Sequence, residues 1–265
     1  SLNLTSAAVG QRIKSLEQEL NTDLLIRSGH RARPTESCEN LLPQIHEIVQ
    51  KCSDLELGWT PAGLSGILRI GAISTALTGM VSPAIKAIRK DHPQIQIHLF
   101  PGSSKNLHRR VLDGDLDLAI IASPPTAVEK TLVSEPHHAE PLIFLSSDPA
   151  IRDPIHALRS EPYIAYDPAS WGGLVVQRFL ERKGIRKTNT ISVLDSPEMI
   201  VSLVSEGIGV SVLPRWLGFE ANSAGVVPFD LGQAAQKRKI LIIHKHGPSR
   251  RDKIDAFKTV LRDII

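Results

Sequence analysis

The sequence predicts an α/β protein assembled from a small helix-and-hairpin region, one long helix and two α/β lobes. Its 265 residues exceed one typical domain and suit two or three. The composition changes along the chain, from small, polar and basic residues at 1–35 to one long helical stretch at 36–58. From Gly63 onward, short apolar runs alternate with helical segments, which is typical of sheets covered by helices.

The composition excludes several protein classes. A hydrophobic share of 42% is ample for a folded core, and no run of about 18 apolar residues provides a membrane span. The two cysteines, Cys38 and Cys52, exclude a disulfide scaffold and a CxxC metal site, and they favour a reducing compartment. The polar, helical start does not resemble a signal peptide. A formal charge of +3 tolerates a nucleic-acid partner without arguing for one.

The first 35 residues predict a helix followed by a small basic hairpin, with strands at 24–27 and 32–34. Thr5 or Ser6 can cap the helix, and Asn21 can end it in a left-handed conformation. One helix face is apolar: Val9, Ile13, Leu16 and Leu20. The opposite face is short or polar: Ser6, Ala7, Gly10, Gln11 and Lys14. This face is either simply solvated or suited to close approach to another surface, and the outline is that of a winged helix-turn-helix.

Residues 36–58 predict one long helix, with Thr35 as its cap. Its apolar residues step by four, three, four and three, which is an a/d heptad pattern. These residues are Leu41, Ile45, Ile48, Cys52 and Leu55. The pattern fits either a seam between two copies of the helix or packing of the helix on its own domain.

After a linker rich in Pro, Gly and Ser at 58–66, strands and helices alternate regularly. Strands are predicted at 67–72, 94–100, 116–121, 143–145, 163–166, 190–194, 209–213, 226–229 and 239–244. This repetition predicts parallel sheets covered on both faces, and about 200 residues suffice for two small lobes. The pair His137 and His138 falls in a predicted polar loop.

Hydroxyl side chains follow three of these strands, at the edge where open α/β sheets bind ligands. They are Ser74, Thr75, Ser103, Ser104 and Ser196. Each lies at a helix N-terminus, which favours negative charge. They are either plain helix caps or the walls of a cleft for a small anion, to which Tyr166 and Trp171 add an apolar wall. Lys105 is the one basic residue at these strand ends, so a monocarboxylate is favoured over a dianion.

No catalytic or metal-binding pattern supports an enzyme. The Gly-Ile-Gly run at 207–209 follows a helix, so it ends that helix rather than cradling a phosphate. The P-loop and GxSxG sequences are absent. A solvated turn explains Asp113, Asp115 and Asp117 better than acid–base catalysis. The sequence therefore predicts no enzyme, no cofactor and no metal.

Six motifs, in this order, resemble the LysR-type transcriptional regulators. They are 4–20 (LTSAAVGQRIKSLEQEL), 24–27 (LLIR), 33–36 (RPTE), 66–71 (GILRIG), 112–120 (LDGDLDLAI) and 204–214 (VSEGIGVSVLP). Each motif is modest alone, but together they are specific, and the resemblance covers almost the whole chain.

The resemblance implies a fold and a set of partners. A partial winged helix-turn-helix would occupy 1–35 and a dimerisation linker helix 36–58. A two-lobed effector domain, like the periplasmic binding proteins, would follow. Its first lobe would comprise 66–162 and 237–265, and its second lobe 163–236. The expected partners are double-stranded DNA, a small and often anionic effector between the lobes, and further copies of the chain in a dimer or tetramer. We expect no membrane partner and a cytoplasmic location.

The resemblance also assigns roles to residues of this sequence. The first helix would enter the major groove, with Arg27 and Arg31 on phosphates. Its expected contacts are Thr5, Ser6, Gly10, Gln11 and Lys14. The effector would contact Ser74, Thr75, Ser103, Ser104, Tyr166 and Ser196. The dimer seam would use the heptad residues.

Two departures from the family pattern stand at the beginning of the chain. The family's recognition helix usually opens with a Gln-Pro pair and has Ser or Thr three residues after the Pro. Here these positions are Ser6, Ala7 and Gly10, so direct base readout by the usual Gln is lost. The helix that normally precedes this one is not in the sequence. We therefore expect weak operator binding by the chain as given.

Two other functional classes remain as alternatives. A solute-binding protein shares the two-lobed fold, but the basic hairpin and the heptad helix argue against it. An α/β transferase needs a catalytic constellation in the cleft, and the sequence supplies none.

Overall fold

The computed structural model describes residues 5–28, 31–56, 64–232, 236–247 and 251–264. Within these ranges the side chains at 27, 28, 31, 43, 46, 47, 50, 51, 53–56 and 222 are not described. The chain divides into two compact units, Ser1–Trp59 and Thr60–Ile265.

The N-terminal unit has two helices and a hairpin. Its elements are α1 (Ser6–Leu20), β1 (Leu25–Ser28), β2 (Arg31–Pro34) and α2 (Glu36–Glu56). The Thr5 hydroxyl accepts a hydrogen bond from the Ala8 N–H and caps α1, while Asn21 ends it at a φ of 48°. The Thr35 hydroxyl caps α2 by accepting from the Cys38 N–H at 3.1 Å. These predicted caps are confirmed.

The second unit is a two-lobed α/β structure, as the sequence predicts. Its strands are β3 (Gly66–Ala72), β4 (Ile95–Pro101), β5 (Leu118–Ala122), β6 (Leu132–Ser146), β7 (Pro162–Tyr166), β8 (Asn189–Leu194), β9 (Ser211–Pro214), β10 (Val227–Asp230) and β11 (Lys237–Lys245). Its helices are α3 (Ser74–Ala76), α4 (Ser82–Asp91), α5 (Ser104–Asp113), α6 (Pro154–Ser160), α7 (Trp171–Arg182), α8 (Pro197–Ser205) and α9 (Arg251–Arg262). A π-helical turn, Leu77–Val81, joins α3 to α4, and a 3-10 turn spans Glu220–Asn222.

The sheets are mixed, which corrects the prediction of parallel sheets. In the first lobe β3 lies parallel to β4 and β5, but β11 runs antiparallel to β5 and β6. In the second lobe β7 and β8 are parallel, while β9 and β10 pair antiparallel with β6. A prediction based on alternating strands and helices does not identify antiparallel neighbours such as β9, β10 and β11.

Strand β6 belongs to both lobes. Its first part pairs with β11 as far as Pro141, and 142–146 pair with β9 and β10 of the second lobe. The predicted strand at 143–145 is only the end of this element, and His137 and His138 lie in the strand rather than in a loop. Pro136 and Pro141 obscure the pattern. Proline is tolerated here because the register shifts between Ile240 and Leu241, opposite this stretch.

Each lobe has its own hydrophobic core. The first is built on β3, β5 and β11, and the second on β6 from Leu142 onward together with β7 and β9. Ala157 and Leu158 of α6 also pack in the second core. The chain therefore crosses between lobes at residues 141–142, earlier than the predicted boundary at 162/163, because β6 continues without a break from one sheet into the other.

The two lobes approach each other closely at Gly79 and Leu217. A Cβ atom on Gly79, in the π-helical turn, would overlap the Leu217 carbonyl group. Glycine is therefore required for this approach of the two backbones. No helix in the described part of the chain is long and apolar enough to cross a membrane.

Candidate functional site

A cavity of about 290 Å³ lies between the two lobes. The six residues predicted for the effector site all line it: Ser74, Thr75, Ser103, Ser104, Tyr166 and Ser196. Lys105 and Trp171 line it as well. Four further residues line the cavity that were not predicted from the sequence: Asp167, Ser170, Asp195 and Arg238.

Three helix N-termini point at this cavity, because their caps belong to its walls. The Ser103 hydroxyl accepts from the Asn106 N–H at the start of α5. Ser196 does the same for Met199 in α8, and Ser170 for Gly173 in α7. The positive ends of these helices favour a negatively charged group inside the cavity.

Two buried hydroxyl groups have their oxygen already engaged. Thr75 Oγ1 accepts from Arg238 Nη2 at 2.9 Å, and Ser104 Oγ accepts from the Ala122 N–H at 3.1 Å. Because a hydroxyl has one hydrogen to donate, each of these groups can still donate to a bound molecule. The two side chains are therefore suited to hydrogen-bond acceptors such as carboxylate oxygens.

Arg238 forms the base of the cavity, and its side chain is 1% exposed. Its Nε donates to Glu140 Oε2 at 2.5 Å, and its Nη1 donates to Tyr166 Oη at 3.4 Å. Burial opposes the charge of Arg238, but the Glu140 carboxylate more than offsets this and raises the pKa of the guanidinium. Burial likewise acts to raise the pKa of Glu140, and Arg238 brings it below its usual range.

The sequence did not predict Arg238, because ligand contacts were expected at the carboxyl ends of strands and this residue lies at the beginning of β11. In the structure, Lys237 and Lys239 are exposed, while Arg238 and Ile240 are buried. This alternation places Arg238 on the buried side of the strand, but it covers only 237–240, because 240–243 are all buried.

Tyr166 closes one side of the cavity, where β7 ends. Burial raises the pKa of its phenol, so the side chain remains a neutral hydrogen-bonding group. A Cβ atom on Gly172 would overlap the Tyr166 hydroxyl group. The glycine at the start of α7 therefore leaves room for the phenol beside Arg238.

The second lobe contributes carboxylates to the cleft. Asp167 and Asp195 line the cavity, and Glu198 Oε2 accepts from the Ser74 hydroxyl across the cleft at 3.0 Å. Burial, aided by the neighbouring Asp167, raises the pKa of Asp195. This wall is chemically different from the hydroxyl-rich wall of the first lobe.

In the N-terminal unit, the polar face of α1 is open. Ser6, Ala7, Gln11 and Lys14 are exposed, and no atom lies within 4 Å of a Cβ built on Gly10. The Thr5 hydroxyl is used as the cap of α1. The predicted phosphate contacts Arg27 and Arg31 lie outside the described side chains.

The heptad residues of α2 are incompletely covered. Leu41 and Ile45 are half-buried, Cys52 is exposed, and Ile48 is 61% exposed. The Leu55 side chain lies outside the described part of the chain.

Two known protein families match the chain, and together they cover most of its length. The family described as "LysR substrate binding domain" matches residues 61–264, and "Bacterial regulatory helix-turn-helix protein, lysR family" matches residues 1–39. The chain belongs to the LysR family of transcriptional regulators. A LysR regulator binds DNA through its helix-turn-helix and a small-molecule effector through its second domain.

Relatives and solved structures agree with this assignment. AlsR of Bacillus subtilis, a transcriptional regulator, is 29% identical over 224 residues, covering 80% of this chain and 72% of AlsR. A variant of full-length OxyR from Pseudomonas aeruginosa has a TM-score of 0.68 at 20% identity, covering 98% of this chain and 89% of that one. The effector binding domain of QuiR in complex with shikimate has a TM-score of 0.61 at 18% identity, covering 76% and 97%.

These findings decide between the functional classes. The relatives are transcriptional regulators rather than enzymes. A helix-turn-helix match at residues 1–39 also separates this LysR chain from a solute-binding protein of the same two-lobed fold.

Proposed function

We propose that this LysR regulator responds to a small molecule whose carboxylate binds in the cavity between the lobes. The buried Arg238 side chain carries this proposal. Thr75 and Ser104 stand beside it with hydroxyl hydrogens to donate, and the N-termini of α5, α7 and α8 face the same space. A carboxylate placed there accepts several charge-assisted hydrogen bonds.

Binding of small acids tests this proposal. Thermal shift with a panel of carboxylic acids, shikimate included, identifies a ligand, and calorimetry measures its affinity. Thr75→Val keeps the shape of the side chain and removes its hydroxyl, so it should weaken binding by roughly 1–3 kcal/mol. Thr259→Val makes the same change on an exposed face of α9 and should leave the affinity unchanged. Full affinity in both Thr75→Val and Ser104→Ala contradicts the proposed site.

The same proposal assigns DNA binding to the N-terminal unit. The exposed polar face of α1 enters the major groove through Thr5, Ser6, Gly10, Gln11 and Lys14. Arg27 and Arg31 contact phosphates on the flanking backbone. Short side chains along α1 support this assignment because they let a helix backbone come close to base edges. Residues 1–35 then form the DNA-binding domain.

The chain further acts as a homo-oligomer through the helix 36–58. The seam consists of Leu41, Ile45, Ile48, Cys52 and Leu55. The large exposed fraction of Ile48 supports this, because an apolar heptad position usually packs against another helix. As a regulator of transcription, the protein is expected to work in the cytoplasm, where its DNA target lies.

A further inference from the structure

The two walls of the cavity differ in charge. The charged residues that line it are Lys105 on the first lobe, Arg238 at its base, and Asp167 and Asp195 on the second lobe. Glu140 pairs with Arg238 directly behind the cavity and neutralises it. Glu198 also faces the cleft and accepts from Ser74. Four carboxylates thus oppose two cations, and the surplus negative charge lies on the second lobe.

The guanidinium of Arg238 still has hydrogen atoms to donate. Arginine carries five N–H groups. Three of these groups donate hydrogen bonds, to Glu140, Tyr166 and Thr75. In the described part of the chain the remaining two have no acceptor, although the side chain is almost fully buried. A buried donor without an acceptor costs free energy, so an anionic group of a ligand is favoured at this position.

The acidic wall favours a positively charged group. Asp195 lines the cavity directly before the Ser196 cap of α8 and stays accessible to solvent. Its partial desolvation and the nearby Asp167 carboxylate raise its pKa. A ligand that is only an anion would add another negative charge opposite these two groups. A ligand that also carries a cation would instead neutralise them.

We infer that the effector is a zwitterion of the α-amino-acid class, with its carboxylate at Arg238 and Thr75 and its ammonium group at Asp195. This rests on the proposed function, because it identifies the ligand of the same cavity. The volume agrees with the class, since about 290 Å³ is at the lower end of small-molecule pockets, which span roughly 300–1,000 Å³. Carboxylate and ammonium recognition on facing lobes also makes the ligand a bridge between them.

Matched ligands test the inference. The common L-amino acids are screened by thermal shift at millimolar concentration, and calorimetry follows for each hit. Every hit is compared with the acid of the same carbon skeleton without the amino group, and with its carboxamide. The amino acid should bind about tenfold or more tightly than either analogue, because each analogue loses one charged contact. Absence of any stabilising amino acid overturns the inference.

A variant of the acidic wall gives the second measurement. Asp195→Asn should weaken the amino acid about tenfold or more and leave the acid without the amino group bound as before or more tightly. Asp148→Asn removes a carboxylate from an exposed turn of the same lobe and controls for net charge. Equal affinity for the amino acid in Asp195→Asn and in the wild type overturns the ammonium contact.

These results separate the two proposals. If carboxylic acids without an amino group bind at least as well as amino acids, and Thr75→Val weakens them, the zwitterion inference fails while the proposed function stands. If Thr75→Val and Ser104→Ala change no affinity, the ligand lies outside the cavity and both fail.

Discussion

The two units of the chain handle their apolar residues in opposite ways. Helix α1 has no buried residue, and Leu24 is the one buried hydrophobic residue among the described side chains of the N-terminal unit. That unit nevertheless carries seven of the twelve large exposed hydrophobic side chains in the described part of the protein. The second unit instead has two dense cores and a polar cavity between them.

This contrast separates two kinds of function. Exposed apolar area is unfavourable in water, so a unit that keeps it gains stability by binding other molecules. A unit with complete cores is stable by itself and can reserve interior space for a small ligand. We therefore expect the stability of the N-terminal unit to depend on its partners, and that of the second unit to depend on its own interior.

The largest expected effect tests the interior of the second unit. Glu140→Gln keeps the shape of the side chain but leaves the Arg238 charge buried without a counter-ion. It should lower the free energy of unfolding by about 3–5 kcal/mol. Denaturant unfolding measures this. Glu220→Gln breaks the exposed pair with Arg215 and should cost less than about 1 kcal/mol. Similar losses in the two variants would show that the Glu140 pair is effectively solvated.

The next effect tests the dependence of the N-terminal unit on a second copy. Ile48→Glu places a charge in the apolar seam of α2. We expect a smaller species in sedimentation, because burying an unpaired charge costs roughly 3 kcal/mol or more. Asn40→Glu adds the same charge at an exposed position of α2 outside the seam and should leave the assembly intact. If Ile48→Glu leaves the oligomer at its wild-type size, the second unit holds the oligomer together.

The third prediction tests whether the exposed surface of α1 binds DNA. Gln11→Ala should cost roughly 1–3 kcal/mol for the preferred base at one operator position and little elsewhere. Lys14→Ala should weaken binding to all DNA sequences and should reduce the slope of log affinity against log salt concentration by about one. Fluorescence anisotropy with single-base operator variants measures both. If Gln11→Ala weakens binding to every sequence equally, Gln11 contacts a phosphate rather than a base.

The last effect concerns pH and the second unit. Burial lowers the pKa of His137 from 6.5 to about 4. The unfolded chain therefore binds a proton that the folded chain does not, and stability falls as the pH drops from 6.5 toward 4. His137→Gln should reduce the change in the free energy of unfolding between pH 6.5 and pH 4, measured by denaturant unfolding at several pH values. His156→Gln, at an exposed position of α6, should leave this pH dependence unchanged. An unchanged slope in His137→Gln would mean that the imidazole is solvated.

Local signals predicted most of the fold. Helices α1, α5 and α8 have a capping hydroxyl, a stretch of helical periodicity and an end signal close together in sequence, and their caps were found directly. Most of strand β6 was missed, and only its end at 143–145 was predicted, because its pairing is long-range and two prolines interrupt its pattern. Pairing partners that lie a hundred residues away leave no local trace.

The candidate site was predicted to a similar extent and for the same reason. Ser104 and Ser196 were found because a hydroxyl at a strand-to-helix junction is visible in a short window. Arg238 comes from a distant strand, and its importance depends on Glu140 and Thr75, which lie far from it in sequence. A search for inward-facing charges in apolar strands would have included it.

The shared strand β6 has a consequence for how the second unit evolves and unfolds. Because one continuous strand serves both sheets, no cut in the chain releases either lobe with its sheet complete. We therefore expect recombination to exchange the two lobes together. The two cores should also melt together in a single calorimetric transition, although they share few side chains.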